Sequence, residues 1–227
     1  MCKKKLIFCC FKHTGSSRGQ YPTVIEELCP QFSLADLRKS TNNFNEKQIV
    51  GSGSLGTVYK GSLQYNCVTE CTVAIKRIYR ITESELKQYK NEIELLCQLR
   101  HPNLVSLLGF CDHKEEKNIV YEYMTNGSLH DILYRSDMKR EPLTWKQRLK
   151  ICIGVAQGLH YLHTGVKRTI FHRDITPYKI LLDSNMVAKL SDFRVSLTGP
   201  YHSSKPKPKT ISKDGFRGIY LCCCVKK

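Results

Sequence analysis

Apolar residues recur at helical spacing in two stretches of the chain, and both stretches begin with an N-terminal cap. In the first, Thr82 and Glu85 have the spacing of a capping box, in which each side chain bonds the other residue's backbone N–H. The helix predicted from there to about residue 99 has one apolar face, formed by Leu86, Tyr89, Ile93, Leu96 and Leu99.

A second long helix is predicted over residues 144–164. Thr144 and Gln147 repeat the capping-box spacing, and Gly165 is a natural stop. One side of this helix carries Trp145, Leu149, Ile153, Ala156, Leu159 and His163. A shorter helix is predicted over residues 34–41, because Ser33 and Asp36 have the spacing of a helix start.

Strand-like sequence separates these helices. Residues 49–79 are rich in β-branched and aromatic residues with Gly and Asn turns, and short apolar runs follow at residues 104–111 and 118–123. Strands and one helix therefore come first and mostly helix follows, an order that predicts an α+β domain in two parts.

The composition adds a strongly basic charge that is concentrated at the two ends of the chain. Hydrophobic residues make up 41% of the sequence, enough for a core, and the formal net charge is +16. Residues 1–20 carry four Lys and one Arg, residues 202–213 carry four Lys, and neither stretch contains an acidic residue. A nucleic-acid domain more often spreads basic residues over one folded face with aromatics among them, so no nucleic-acid partner is predicted.

The cysteines indicate a reducing compartment and a contact with a membrane surface. The chain has 12 Cys but no secretory signal, and it is therefore predicted to be cytoplasmic. Cys2, Cys9 and Cys10 flank the basic cluster Lys3, Lys4 and Lys5, which is typical of a two-signal anchor that combines acylation with an anionic membrane surface. The alternative is a solvated tail of the kind that follows a membrane helix.

A glycine-rich segment carries the first chemical signal. Gly51, Ser52, Gly53 and Gly56, followed by Val58, fit the pattern G-x-G-x-x-G-x-V, in which glycines let a hairpin backbone close over phosphates. The segment lies between strand-like runs and not between a strand and a helix, which argues against a dinucleotide-binding fold.

A lysine and a glutamate extend this signal. Lys76 ends the run Val73-Ala74-Ile75-Lys76 and is a candidate for the α- and β-phosphates of a nucleotide. Glu92, in the first predicted helix, is a candidate to hold Lys76 by an ion pair. Glu94 in the same helix is interpreted as an exposed carboxylate.

With His172-Arg173-Asp174 and Asp192-Phe193 following in order, the sequence resembles protein kinases over residues 44–195. Finer features resemble plant receptor-like kinases: the segments FSLADLRKSTNNF, HPNLVSLLGFC, YEYMTNGSL and GLHYLHTG. Within that class, SDF followed by LTGP is similar to the group with malectin-like, FERONIA-type ectodomains. The resemblance implies a two-lobed fold, with an N-lobe of antiparallel sheet plus one helix and a helical, incomplete C-lobe. It also implies ATP-dependent phosphorylation of protein Ser or Thr.

The resemblance further implies a division of the chain into four parts. Residues 1–43 would be a basic, Cys-containing tail and linker, residues 44–123 the N-lobe, residues 124–195 part of the C-lobe, and residues 196–227 a basic, disordered tail. Another kinase or a receptor is the implied macromolecular partner, at the cytoplasmic face of the plasma membrane or in the cytoplasm.

Individual roles are implied residue by residue. Asp174 would accept the proton of the substrate hydroxyl, and Asp192 would bind Mg²⁺. Tyr121 would be the gatekeeper, with backbone groups of Glu122 and Met124 offered to adenine. The adenine ring would lie among Val58, Ala74 and Leu181. A hydrophobic column linking the lobes would consist of Leu96, Leu107, His172 and Phe193.

Three departures from the family pattern fall on the chemistry. Lys179 stands where the family has an Asn ligand for magnesium, and Thr176 stands where it has a Lys that touches the γ-phosphate. Arg194 replaces the Gly after Phe193, which predicts that the turn aiming Asp192 loses its freedom at φ > 0. Asp192 remains as the sole metal ligand, so the Mg²⁺ site is predicted to be weakened.

The chain also ends at Lys227 without an A-P-E-like motif. The later helices of the large lobe are therefore expected to be missing, which would leave the apolar face of the 144–164 helix partly bare. Three hypotheses stay open on these grounds: an active Ser/Thr kinase, a pseudokinase or nucleotide-binding scaffold, and a truncated product that has no function.

Overall fold

A computed structural model describes residues 29–53, 55–65, 69–79, 81–114, 116–134 and 141–201 of the chain. The predicted membrane anchor with its cysteines and lysines, and the basic stretch over residues 202–213, lie outside the described residues.

The first half forms a five-stranded antiparallel sheet. Its strands are β1 (Ile49–Gly53), β2 (Gly56–Tyr65), β3 (Thr69–Tyr79), β4 (Leu107–Asp112) and β5 (Glu116–Glu122), in the order β1-β2-β3-β5-β4. Alternation along a strand directs successive side chains to opposite faces. Val73 and Ile75 accordingly join a smaller core cluster on one face, whereas Ala74 and Ile78 pack into the main core on the other.

Helix α1 (Leu34–Ser40) covers the smaller cluster on its face of the sheet. Ser33 caps it by accepting from the Asp36 N–H, as the sequence predicts. The chain before it is paired with β4, because the Phe32 N–H donates to the Phe110 carbonyl at 2.8 Å. Residues 29–43, which the sequence groups with the linker, thus pack against the N-lobe sheet.

Helix α2 (Glu83–Leu96) packs in the main core and has the capping box that the sequence predicts at Thr82 and Glu85. It ends at Leu96 and not near residue 99. Leu99 is buried although it lies beyond the helix, so the apolar periodicity continues past the helical backbone. The Arg100 guanidinium donates to the carbonyls of Leu96 (3.0 Å) and Leu99 (2.8 Å), which satisfies acceptors at this helix end.

The second half is built from two helices and two small sheets. The elements are α3 (Leu129–Tyr134), α4 (Trp145–Thr164), β6 (Arg168–Phe171), a 3₁₀ turn (Pro177–Lys179), β7 (Ile180–Leu182), β8 (Ala188–Leu190) and β9 (Leu197–Tyr201). Strand β6 pairs with β9, and β7 pairs with β8, both antiparallel. The α+β, two-part fold with an antiparallel N-lobe sheet is confirmed.

Helix α4 has the predicted cap and end, but its buried side is not the apolar side that the sequence predicts. Its buried positions are Ile151, Gly154, Val155, Gly158 and Leu162. Trp145, Leu149 and Ile153 are 62%, 49% and 48% exposed, in line with the prediction of a partly bare apolar face. Within the described ranges, no helix combines the length and the apolar character needed to cross a lipid bilayer.

Candidate functional site

The glycine segment forms a tight hairpin at one edge of the large sheet. In the β1–β2 register, Gly51 lies opposite Val58, and Gly53 lies opposite Gly56. A Cβ added at Gly51 or Gly53 would meet nothing within 4 Å, so the space over this backbone is open. Gly56 has φ +143°, where a Cβ would collide with the Arg77 carbonyl. Glycine at that position is therefore required by the hairpin itself.

The β2–β3 register places Lys76 directly opposite Val58, next to this hairpin. The Lys76 Nζ lies 3.0 Å from Glu92 Oε2 and 3.7 Å from Asp192 Oδ1. Burial by itself lowers the pKa of the Lys76 ammonium, but the Glu92 and Asp192 carboxylates outweigh burial and raise that pKa above its ordinary value. Lys76 is thus held charged beside the open backbone.

Of the two candidate carboxylates in α2, Glu92 makes this pair. Glu92 is 1% exposed, whereas Glu94 lies on the solvent side of the helix. The second Glu92 oxygen, Oε1, accepts the Phe193 N–H at 3.4 Å. One side chain of α2 therefore connects the sheet lysine to the segment that begins at Asp192.

The end of β5 and the segment after it contain the residues expected to face adenine. Tyr121 lies opposite Ala74 in the sheet and is 8% exposed. Burial, and after it the charge of Glu92, raises the pKa of the Tyr121 hydroxyl well above its ordinary value. The Met124 carbonyl accepts the Gly127 N–H at 3.2 Å, which closes a turn directly after this segment.

Glu122 connects the two parts of the fold through its backbone and its side chain. Its N–H donates to the Ser106 carbonyl at 3.1 Å, and its Oε1 accepts the Ser106 N–H and the Lys189 ammonium, each at 2.8 Å. These contacts tie the end of β5 to β8 across the two parts of the fold. No sequence pattern marks them, because Ser106 and Lys189 lie in unrelated segments.

The three residues expected around the adenine ring lie on elements that border this segment. Val58 and Ala74 are on β2 and β3, and each is partly exposed. Leu181 is on β7, where it bridges to Ser128. The sheet and β7 thus meet at the segment that contains Met124.

The predicted hydrophobic column is buried in the described structure. Leu96, Leu107, His172 and Phe193 are 0%, 7%, 2% and 0% exposed. The rings of His172 and Phe193 meet edge to face with centroids 4.8 Å apart. Burial lowers the pKa of His172 despite the opposing hydrogen bond of its Nε2 with the Ser191 carbonyl at 3.0 Å, and that bond holds the ring in the core.

Asp174 follows this histidine and is partly exposed. Its N–H lies 3.4 Å from His172 Nδ1, and the preceding Arg173 has φ +72°. Thr176 begins the 3₁₀ turn without a side-chain capping bond. Among the described residues, the ion pairs of the site do not include Asp174.

Asp192 is surrounded by cations. The Lys179 ammonium pairs with Asp192 Oδ2, and the Arg194 Nε lies 3.2 Å from Asp192 Oδ1, the oxygen that also faces Lys76. Burial by itself raises the pKa of the Asp192 carboxyl, but Lys76, Lys179 and Arg194 outweigh burial and hold that pKa below its ordinary value. Asp192 is therefore an ionised carboxylate that is already paired.

The turn after Asp192 forms without a left-handed residue at position 194. The residue with positive φ is Asp192 itself, at +68°, and Arg194 is not among the positive-φ residues. The turn seen here therefore makes no use of the freedom that a glycine would add at this position. The Arg at position 194 instead introduces a guanidinium beside Asp192.

Asn91 is a further residue of the site that the sequence did not indicate. Its Nδ2 donates to the carbonyls of Phe193 (3.2 Å), Arg194 (3.1 Å) and Ser196 (3.0 Å). A single amide in α2 therefore fixes the turn that follows Asp192. No motif in the sequence marks Asn91, because the carbonyls that it contacts lie more than 100 positions away. The contact is therefore visible only in the folded structure.

The residues present do not fit a magnesium ion. Mg²⁺ requires near-octahedral oxygen ligands at about 2.0–2.1 Å. Both oxygens of Asp192 are ion-paired, and position 179 supplies an ammonium in place of an oxygen. In the part of the chain that the structure describes, there is no group of three or more His, Cys, Asp or Glu side chains placed to hold a metal ion.

Comparison with known proteins shows a kinase family match over most of the chain. The family described as protein tyrosine and serine/threonine kinase matches residues 44–213. The chain is similar to receptor-like protein kinases of Arabidopsis thaliana. It is 50% identical to ANXUR2 over 173 residues (76% of this chain, 20% of that protein), and 46% identical to FERONIA over 187 residues (82% and 20%). It is 48% identical to THESEUS 1 over 169 residues (74% and 19%), so the chain spans about a fifth of the length of these curated relatives.

Proposed function

The chain belongs to the protein tyrosine and serine/threonine kinase family, and on that basis we propose that it is a nucleotide-binding member with impaired phosphoryl transfer. The observation that carries the proposal is the Lys76–Glu92 pair at 3.0 Å, beside a glycine hairpin whose backbone is open. A largely buried, charged lysine next to open backbone is an arrangement that favours phosphate.

ATP would be held by three parts of the site. The backbone of Gly51, Ser52, Gly53 and Gly56 would cover the phosphates, and Lys76 would bind them. The Glu122 carbonyl and the Met124 N–H would bind the adenine edge. The two faces of the ring would contact Val58, Ala74 and Leu181.

Transfer to a protein Ser or Thr is the reaction that the family carries out, and Asp174 would be the residue that accepts the hydroxyl proton. In this chain the electrostatic support for that step is reduced. Asp192 is engaged by Lys179 and Arg194, and Thr176 has no charge to offer the γ-phosphate. Removing one preorganised electrostatic interaction from a catalytic site typically slows the reaction by about 10²–10³. A nucleotide-binding scaffold that acts on another kinase or receptor is therefore favoured over an active kinase.

Two basic tails would flank the two lobes of this domain. Residues 44–123 and 124–195 would be the lobes, with residues 29–43 packed on the N-lobe sheet and β9 paired in the C-lobe, so that the flanking tails would be residues 1–28 and 202–227. The N-terminal tail would place the domain at an anionic, cytoplasmic membrane surface, because it combines cysteines that can be acylated with a lysine cluster.

Nucleotide binding by the full chain is the first test of the proposal. A fluorescent ATP analogue should bind the wild type, and Lys76→Ala should weaken binding by about tenfold or more, because a charge-assisted hydrogen bond to phosphate is removed. Lys87→Ala, which removes an exposed lysine of α2, is the matched control and should bind like the wild type. Failure of the wild type to bind nucleotide would refute the proposal.

Transfer to a generic Ser/Thr peptide is the second test. Phosphorylation by the wild type should not exceed the level of Asp174→Asn, because the charges around the phosphates are already altered at positions 176, 179 and 194. Transfer well above the Asp174→Asn level would restore the active-kinase interpretation.

A further inference from the structure

Magnesium does not fit the surroundings of Asp192, and this misfit bears on the form of nucleotide that the site accepts. Resting on the proposed nucleotide-binding function, we propose that the site takes the metal-free nucleoside polyphosphate in preference to its Mg²⁺ complex, with Lys179 and Arg194 as built-in counter-cations. This preference is opposite to the one expected when a divalent cation bridges the phosphates to a carboxylate.

The charge of the ion-paired cluster supports the inference. The cluster contains the three cations Lys76, Lys179 and Arg194 and the two carboxylates Glu92 and Asp192, a formal sum of +1. With uncharged residues at 179 and 194 the sum would be −1, a charge that attracts a divalent cation. The five side chains are between 2% and 22% exposed, so water screens their interactions less than it does at an open surface.

Both carboxylate oxygens of Asp192 lie against protein cations, although among the described residues only Oδ2 accepts a hydrogen bond. Asp192 Oδ2 accepts the Lys179 ammonium, and Asp192 Oδ1 lies 3.2 Å from the Arg194 Nε. The Glu92 oxygens face the Lys76 ammonium and the Phe193 N–H. A metal ion at Asp192 would have to displace two protein cations while approaching a positively charged cluster.

The backbone holds Lys179 in place beside Asp192. The Lys179 carbonyl accepts both the Ser191 N–H (2.9 Å) and the Ser191 hydroxyl (3.0 Å), and the Lys179 N–H donates to the Thr176 carbonyl at 2.9 Å. Asp192 follows Ser191 directly, so the same bonds that fix one partner position the other. Because a lysine ammonium has three N–H donors, the pair with Asp192 leaves donors for phosphate oxygens.

The basic partner at position 194 is fixed independently. The Asn91 amide holds the carbonyls on both sides of the turn, at Phe193 and Ser196, and that of Arg194 itself. The two replacement cations are thus attached to separate, anchored backbone segments. This is the arrangement of a preorganised anion site, which binds without the cost of ordering mobile side chains.

The test compares binding of a fluorescent ATP analogue in EDTA and in excess MgCl₂, with the full chain. The wild type should bind more tightly in EDTA than in magnesium, and equal affinity in the two solutions would overturn the preference. Lys179→Asn should bind about tenfold more weakly in EDTA, as expected when one charge-assisted hydrogen bond is removed, and should regain affinity when magnesium is added. Arg194→Gly should shift the magnesium response in the same direction.

Lys167→Asn is the matched control, since it removes an exposed lysine outside the ion pairs and should reproduce the wild-type ratio. Thermal unfolding of each variant establishes that the fold is retained. Wild-type binding that requires magnesium would overturn the inference and leave the proposed function intact, as would a magnesium response that Lys179→Asn does not change. Absence of binding in both solutions would overturn the proposed function itself, and this inference with it.

Discussion

At the scale of single residues, Asn91 shows how one side chain organises the site. Its amide donates to three carbonyls at 3.0–3.2 Å, all in the turn that follows Asp192. Backbone carbonyls left without such a donor away from water are costly, because the desolvation of the acceptor is no longer compensated. The turn and α2 are therefore coupled through this residue.

We expect Asn91→Ala to lower the free energy of unfolding by about 1–3 kcal/mol, the range for leaving buried hydrogen-bonding groups unpaired. Urea denaturation followed by circular dichroism measures it. Glu94→Ala is the control, because Glu94 is exposed in the same helix and should change stability by less than about 0.5 kcal/mol. Equal effects of the two variants would contradict the role assigned to Asn91.

The choice between Glu92 and Glu94 could be made from sequence, whereas the role of Asn91 could not. Glu92 lies beside Ile93 on a helix whose apolar spacing is regular, and the expected partner Lys76 was already marked by its strand. The Asn91 bonds join residues more than 100 positions apart. No local pattern encodes a bond of that kind.

At the scale of elements, small residues of α4 let the helix pack closely against the segment before β4. Gly158 faces the Asn103 backbone carbonyl, and an added Cβ would lie 2.9 Å from that oxygen and 3.2 Å from Leu190 Cδ1. Asn103 also donates through Nδ2 to the Ala188 carbonyl at 2.9 Å. The helix, β8 and this segment therefore meet at a distance that favours glycine.

Gly158→Ala should accordingly lower the free energy of unfolding by about 1–3 kcal/mol, the usual cost of overpacking, although alanine favours a helix by about 1 kcal/mol. The neighbouring exposed residue supplies the control, since Gln157→Ala gains helix propensity without a new contact. Chemical denaturation of both variants decides the sign. A stabilised Gly158→Ala protein would show that α4 moves away from Asn103 without cost.

Elements with a strong local signal are the ones that could be predicted well from sequence. Capping residues at Ser33, Thr82 and Thr144 located three helix starts, because a cap is a local hydrogen bond. The strands β6 to β9 have only three to five residues each and were not predicted. Such short strands form because distant segments pair, as Phe171 does with Leu197.

At the scale of the whole molecule, both faces of the large sheet are covered within the described ranges. Arg38 of α1 is attached to the sheet by an ion pair with the buried Glu116 of β5, which also pairs with Arg77 of β3. Phe44, in the turn after α1, packs edge to face on Tyr59 at 5.2 Å. From sequence alone, residues 29–43 are grouped with a linker. A seven-residue helix has little apolar surface of its own, and the sheet residues that it packs against are remote in the chain.

The N-terminal tail supplies the last prediction at this scale. Cys2, Cys9 and Cys10 offer sites for acyl chains, and Lys3–Lys5 add electrostatic attraction of about 1 kcal/mol per charge near an anionic surface. One acyl chain binds a membrane only marginally, so stable anchoring requires both signals. In cell fractionation, replacing the three cysteines by Ser should release the fluorescently tagged chain from membranes, and changing Lys3–Lys5 to Gln should weaken association partially. Residues 1–31 fused to a fluorescent protein isolate the tail from the kinase domain. A fusion that stays uniformly soluble would contradict the anchor and favour a tail that binds nothing by itself.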